Sequence, residues 1–280
     1  MGPPYSFHRY VRTNGSISSW LNENMGTMIN TVVIPTFRNN NIVDILIMND
    51  IIKAYDAKYK TPNFFTDRSW LYRPFVKALI SKAELRSGAR LLDAGCGQGF
   101  FTALFAEQGI DSLGMDISSV GIEAAKSSCK FSSARFKVGD MLQLPIEEQF
   151  DCVFTRSCSL YNTTDFPYDT SVTDQLIRYL RPGGVLIFDY YSRLSENAKA
   201  EDWLYHSMAQ VKEHFSKYSN AQVYFSLRLE ARLLGVFSFS PITSYIANVL
   251  SRTFGMGGEL VVFVRLDQGD VTIPICFNTG

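Results

Sequence analysis

The chain has 280 residues, 46% of them hydrophobic and 19% charged, which supplies a substantial core and excludes disorder as an overall description. Lys plus Arg and Asp plus Glu each total 27, so zero net charge draws the molecule to no nucleic acid. Five scattered cysteines (Cys96, Cys129, Cys152, Cys158, Cys276) without a CxxC pair, and three histidines with none four residues from another, argue against disulfides and metal sites and fit a cytoplasmic setting.

Residues 1–40 are rich in Gly, Pro, Ser and Asn, lack the apolar core of a secretion signal and read as a flexible arm. No membrane span is expected; the nearest candidate, Leu233 to Leu250, is broken by Ser238, Ser240, Pro241, Thr243, Ser244 and Asn248. Over residues 41–89 the spacing of Ile45, Met48, Ile51, Ile52 and Tyr55, and then of Leu71, Phe75, Leu79 and Ile80, predicts two helices that form an N-terminal cap. Between Lys53 and Arg90 nine basic residues face three acids, which reads as the solvated side of those helices or as an attraction for an anionic substrate or membrane surface. Aromatic residues gather there too, Tyr55, Tyr59, Phe64, Phe65, Trp70, Tyr72 and Phe75; Trp70 and Phe75 are read as packing on the sheet.

Over residues 90–192 short apolar runs (Arg90 to Leu92, Ser112 to Met115, Ala134 to Val138, Cys152 to Thr155, Val185 to Phe188) alternate with helical stretches near 99–108, 118–129 and 171–180. Only crossovers join strands separated by such helices, so a parallel sheet with helices on both faces follows. In 193–280 a helix over 197–217, a strand within 222–239, an apolar helix over 242–253 and a last strand from Glu259 to Arg265 predict a partly antiparallel edge with an inserted helical cap. The apolar stretch 231–258 reads as a lid, a membrane-facing edge or a surface for a homodimer. His206 and His214, in a polar helical stretch, are read as solvated.

The chemistry is concentrated in Arg90-Leu-Leu-Asp-Ala-Gly-Cys-Gly-Gln-Gly99, an apolar strand running through Asp93 into Gly95, Gly97 and Gly99 and then into an amphipathic helix. Glycines at such a turn let the backbone approach a ligand closely. Dinucleotide-binding proteins use G-x-G-x-x-G, but the third position here is Phe100. A diphosphate is repelled by Asp93, whereas an ammonium group is held by it; the plainer reading is a turn-capping carboxylate. Asp116, at the end of the next strand, is placed to accept the two hydroxyls of a ribose, since Ser118 or Ser119 already supplies the cap of the following helix. Asp140 can accept from the exocyclic amine of an adenine while Met141 packs on its ring, or stand in a surface turn.

Taken together, LLDAGCGQG, the acid of GMD at 114–116, GDM at 139–141, FDCVFTR at 150–156 and LRPGGVLIF at 180–188 resemble the successive motifs of the class I S-adenosylmethionine-dependent methyltransferases over about residues 50–190. The resemblance implies an α/β, Rossmann-like fold with a seven-stranded, mostly parallel sheet whose last strand is antiparallel. It implies S-adenosyl-L-methionine as cofactor, with Asp93, Gly95, Gly97 and Gly99 at its methionine part, Asp116 at the ribose, and Ile117, Asp140 and Met141 at the adenine. Thr155 and Tyr55 join that set, Tyr55 or Tyr59 closing over the cofactor from the N-terminal helices. Members that methylate amide or adenine nitrogens in polymers often carry N/D-P-P-Y/F after the fourth strand; here Thr155-Arg156-Ser157-Cys158 stands instead.

A small-molecule or carbohydrate-type acceptor is therefore expected, methylated at oxygen, with nitrogen and carbon as the alternatives. A hydroxyl acceptor needs its proton removed, and the candidates are Asp189 as base or anchor and Arg156 as a holder of an anionic substrate, each equally readable as structural. Tyr161, Tyr190 and Tyr191, at the ends of the same strands, are further candidates. Two other readings remain: a non-catalytic sensor or partner subunit that binds the cofactor, and an NAD-dependent oxidoreductase, the latter disfavoured by Phe100 and Asp93.

Overall fold

The computed structural model describes residues 9–10, 31–32, 42–61, 68–145, 148–196, 198 and 203–267. Arg9–Tyr10 and Thr31–Val32 pair in parallel as a separate two-residue ladder; the rest of the expected arm, with Phe64, Phe65 and Cys276, lies outside the described residues.

Seven strands form the sheet: β1 (Arg90–Ala94), β2 (Asp111–Asp116), β3 (Ala134–Val138), β4 (Phe150–Arg156), β5 (Leu180–Arg193), β6 (Ala221–Ser226) and β7 (Gly257–Arg265). Their spatial order is β3-β2-β1-β4-β5-β7-β6; β7 alone runs antiparallel to its neighbours β5 and β6. The order reverses beside β1, because the chain moves outward to β2 and β3 and then returns to place β4 on the other side. Such a reversal opens a crevice at the carboxyl ends of the central strands, where open α/β sheets bind ligands.

The helices are α1 (Ile42–Tyr59), α2 (Ser69–Lys82), α3 (Phe100–Glu107), α4 (Ser119–Ser128), α5 (Ser171–Ile177), α6 (Met208–His214), α7 (Ala231–Leu234) and α8 (Pro241–Phe254). Leu91, Phe154, Ile187 and Val261 meet Phe75 and Leu79 of α2 and Phe101 and Phe105 of α3 on one face of the sheet. Leu92, Val153, Phe188 and Val262 meet Leu176 of α5 and Val211 of α6 on the other. Burial on both faces explains why the central strands read as continuous apolar runs instead of alternating ones. On the edge strand β6, the Phe225 N–H donates to Ser244 Oγ of α8 (2.8 Å), so the helix covers an otherwise open strand edge.

Three expectations are corrected. Among the described residues of the helix foreseen over 197–217, only α6 is helical, begun by a capping box in which Ser207 accepts from the Gln210 N–H and the Gln210 side chain accepts in return. His206 and His214 are buried rather than solvated: His206 Nε2 lies 2.8 Å from the Tyr161 carbonyl, and His214 contacts the Phe166 carbonyl and the Thr173 hydroxyl. Polar neighbours suggested exposure, but these carbonyls supply partners that let the imidazoles enter the core. Burial lowers His206 to about 4. Trp70, expected on the sheet, is half exposed and stacks with the Arg232 guanidinium, 5.1 Å from its ring centroid.

Candidate functional site

Beyond β1 the chain turns through Gly95, Gly97 and Gly99, all with positive φ (80°, 54° and 75°), which strains any other residue. The Gly95 and Cys96 N–H groups donate to the Met115 carbonyl at 2.9 and 3.0 Å, tying the loop to β2. A Cβ on Gly99 would stand 2.5 Å from the Phe136 ring and 2.7 Å from Ala125, so this glycine lets α3 pack against β3 and α4. One on Gly97 would stand 2.9 Å from the hydroxyl of Tyr59.

Three acids surround the loop. Asp93 is buried and accepts from Thr102 Oγ1 at 2.5 Å; burial, opposed by that hydrogen bond, raises its carboxyl to about 7. Asp116 accepts the Gly97 N–H at 2.8 Å and the Ser118 N–H at 2.9 Å, bridging the glycine loop and the start of α4. Burial still pushes it upward, against those two bonds and the charge of Lys58. Ser118 caps α4, as the sequence suggested, by accepting the Gly121 N–H. Asp140 accepts the Leu142 N–H and the Gln143 side chain, both at 2.9 Å. Ile117 is half-buried beside Asp116, and Met141 is buried below Gly95. Thr155, at the end of β4, has a fully buried hydroxyl beside the Cys158 thiol.

Helix α1 closes this edge. Tyr55 hydrogen-bonds the Ser159 hydroxyl just beyond β4 and stacks on Tyr59, ring centroids 5.9 Å apart. Asp56 accepts from Ser118 Oγ at 2.5 Å, and Gln98 of the glycine loop donates to the Tyr59 and Thr61 carbonyls, both at 2.9 Å. Burial and the charge of Asp116 push the Tyr59 phenol well above its ordinary range; burial pulls Lys58 down to about 8 despite Asp116. Sequence reasoning singled out the two tyrosines but missed Asp56, Lys58, Gln98 and Thr102, whose partners lie far along the chain or carry no motif.

Further along the edge stands a second charged group. Arg156 Nε lies 3.1 Å from Asp189 Oδ2, and Arg156 Nη2 donates to Glu259 Oε1 at 2.7 Å. Arg228 Nη1 donates to the same Glu259 oxygen and to the Tyr72 hydroxyl, while the Arg156 guanidinium lies 4.8 Å from the Phe101 ring centroid. Asp189 and Glu259 are fully buried. Burial and the neighbouring Glu259 drive Asp189 well above the carboxylate range; burial pushes Glu259 upward too, but the two guanidiniums overcome it and hold Glu259 below that range. The two candidates from the sequence, Asp189 and Arg156, thus lie together in one buried cluster of opposite charges.

The site fits the cofactor implied by the sequence. A loop that admits close approach, acids at the ends of β1 and β2 and just beyond β3, and a buried hydroxyl on β4 match a ligand bearing an ammonium group, a ribose and an exocyclic amine.

Residues 85–238 match the family model described as "Methyltransferase domain". A malonyl-[acyl-carrier protein] O-methyltransferase of Serratia marcescens is 26% identical over 133 residues, 48% of this chain and 50% of that one. A demethylmenaquinone methyltransferase of Beutenbergia cavernae is 28% identical over 145 residues, 51% of this chain and 56% of that one. The chain thus spans about half the length of these curated relatives. The crystal structure of the [4+2]-cyclase SpnF superposes with a TM-score of 0.50 at 16% identity, covering 70% of this chain and 81% of that one. That likeness shows the fold alone.

Proposed function

Because the chain belongs to the methyltransferase-domain family, we propose that it binds S-adenosylmethionine at the carboxyl edge of β1, β2 and β4 and methylates an oxygen of a small-molecule acceptor. The observation that carries this reading is the run of Asp93, Asp116 and Asp140 around a loop of left-handed glycines. When bound, the cofactor supplies a methyl group activated by a cationic sulfur. Asp93 holds the ammonium group, Asp116 turns its remaining lone pairs to the ribose hydroxyls, and Ile117, Asp140 and Met141 receive the adenine. Thr155 offers its hydroxyl. The stacked pair Tyr55 and Tyr59 excludes water and fixes the approach, and alignment is what an in-line displacement most requires.

On the acceptor side, Arg156 and Asp189 act as positioning residues that hold the ends of β4, β5 and β7 together. Asp189 is engaged by Arg156, and His206 and His214 are turned to core carbonyls, so none of these is offered as a base. An acceptor oxygen that arrives ionised, such as a carboxylate, needs no base. The O-methyltransferase relative from Serratia marcescens supports this choice.

The same lack of a base favours a second reading, a cofactor-binding sensor without turnover. The test is calorimetry with S-adenosylhomocysteine and, separately, NADH, followed by turnover of methyl-labelled cofactor over a panel of carboxylic acids and alcohols. Base-labile methyl esters from the acids are the expected product. Binding of the homocysteine nucleoside without turnover on any acceptor selects the sensor, and binding of NADH alone discards both readings.

A further inference from the structure

Helix α8 is built the wrong way round for a helix that only fills a core. Its inward residues are Ser244, Ala247 and Ser251, small enough to lie close along β6, with the two hydroxyls accepting the backbone N–H groups of Phe225 and Leu194. Its large apolar residues Ile242, Tyr245, Ile246 and Val249 recur at the spacing of one helix face, and all four are exposed, Ile242 by 73% and Tyr245 by 71%. The preceding segment adds Leu233 at 88% and Phe237 at 72%. That segment packs against both α2 and α8, so these side chains belong to one side of the molecule, with Trp70 of α2 beside Arg232. Apolar exposure on this scale marks an interaction surface.

Its charge says which kind. Between residues 231 and 258 the charged side chains are Arg232 and Arg252, with no acid, and α2 carries Arg73, Lys77 and Lys82, also with no acid. Arg73 is paired with Glu107 of α3. Positive charge thus rims an apolar face in a molecule whose net charge is zero. A twofold contact with a second copy sets these cations against one another, whereas a surface that is apolar within and anionic outside complements both features.

We propose that α8, the 231–238 segment and the outer side of α2 dock on an anionic lipid bilayer. The contact is interfacial, since among the described residues no helix is long and apolar enough to cross a membrane. Phe237, Ile242, Tyr245 and Ile246 enter the boundary between headgroups and acyl chains, about 5–10 Å deep. Arg232 and Arg252 stay among the phosphates, and Trp70 and Tyr245 are residue types that settle at that level. This inference is independent of methyl transfer.

The test is co-sedimentation of the full chain with vesicles of phosphatidylcholine containing about 30% phosphatidylglycerol, compared with pure phosphatidylcholine, at low and high salt. Wild type is expected to prefer the anionic vesicles. The triple variant Ile242→Ser, Tyr245→Ser, Ile246→Ser should bind them at least about tenfold more weakly. The pair Arg232→Gln and Arg252→Gln should erase most of the preference for anionic over neutral lipid. Thermal melting confirms that the variants fold; if the triple variant does not, the arginine pair carries the test. Equal binding to both vesicle types overturns the proposal, as does wild type left in the supernatant. A dimer that the triple variant dissociates, in a protein that ignores vesicles, assigns the face to a second copy instead.

Discussion

Two groups of buried acids stand at the same carboxyl edge of the sheet and differ in what answers their charge. Asp189 and Glu259 sit with Arg156 and Arg228, and their charges are answered among four side chains of the chain itself. Asp93 and Asp116 have no guanidinium among their described hydrogen-bond partners, only a hydroxyl and backbone N–H groups. In the first group the chain supplies two guanidiniums, and disturbing it costs stability. In the second, Lys58 acts on Asp116, and a ligand's ammonium group can answer Asp93. Desolvation acts on both; the source of the compensating cation separates scaffold from site.

The largest expected effect breaks the first group. Glu259→Gln removes the carboxylate shared by two buried guanidiniums, and unfolding in urea should show a loss of about 3–5 kcal/mol. Asp189→Asn sharpens the point, because Asp189 meets one guanidinium where Glu259 meets two; its cost should be the smaller, about 1–3 kcal/mol. Equal losses in the two variants would mean that the two acids share the cations evenly.

In the second group, Asp93→Asn should weaken S-adenosylhomocysteine binding by roughly 2 kcal/mol, about thirtyfold, by calorimetry at pH 8. In the ligand-free protein the same change should stabilise. With its carboxyl raised to about 7, folded protein keeps a proton that the unfolded chain loses near pH 4. The contribution of Asp93 to stability is therefore full below about pH 4 and declines as pH rises to about 7. Urea midpoints of variant and wild type should diverge across that window, and parallel curves would dissolve the contrast between the two groups.

Asp116→Ala comes next. It removes the bridge from Gly97 to Ser118 together with the acceptor for the ribose, and affinity for S-adenosylhomocysteine should fall by about tenfold, or 1.4 kcal/mol. Wild-type affinity in this variant would put the nucleoside elsewhere.

What was legible in the sequence is what neighbours in the chain determine. The glycine loop, the cap at Ser118 and the turn at Asp140 each lie within a few residues, and the last strand shows as the apolar run at 259–265, its antiparallel direction being implied by the family resemblance. The ion cluster was hidden because Glu259 meets Arg156 across 103 residues, and no local pattern encodes such a meeting. His206 and His214 misled for the same reason, their carbonyl partners lying 45 and 48 residues away. Helix α8 was visible as apolar, but which of its sides faced out depended on the strand edge that its serines cover.

The smallest expected effect tests whether the proton on Asp93 is the one linked to the ligand. Thr102 donates to Asp93 and holds its carboxyl lower than burial alone would leave it. In Thr102→Val that restraint is gone, so Asp93 should lose its proton only at higher pH, and the ammonium group should find it neutral at pH 7. S-adenosylhomocysteine affinity should fall about threefold at pH 7 and recover by about pH 8 to 9. A merely structural defect would lower affinity equally at every pH. A displaced curve therefore ties the hydroxyl to the charge of Asp93, while an undisplaced one means the ligand's cation is met by another acid of the loop, with Asp116 the first to examine.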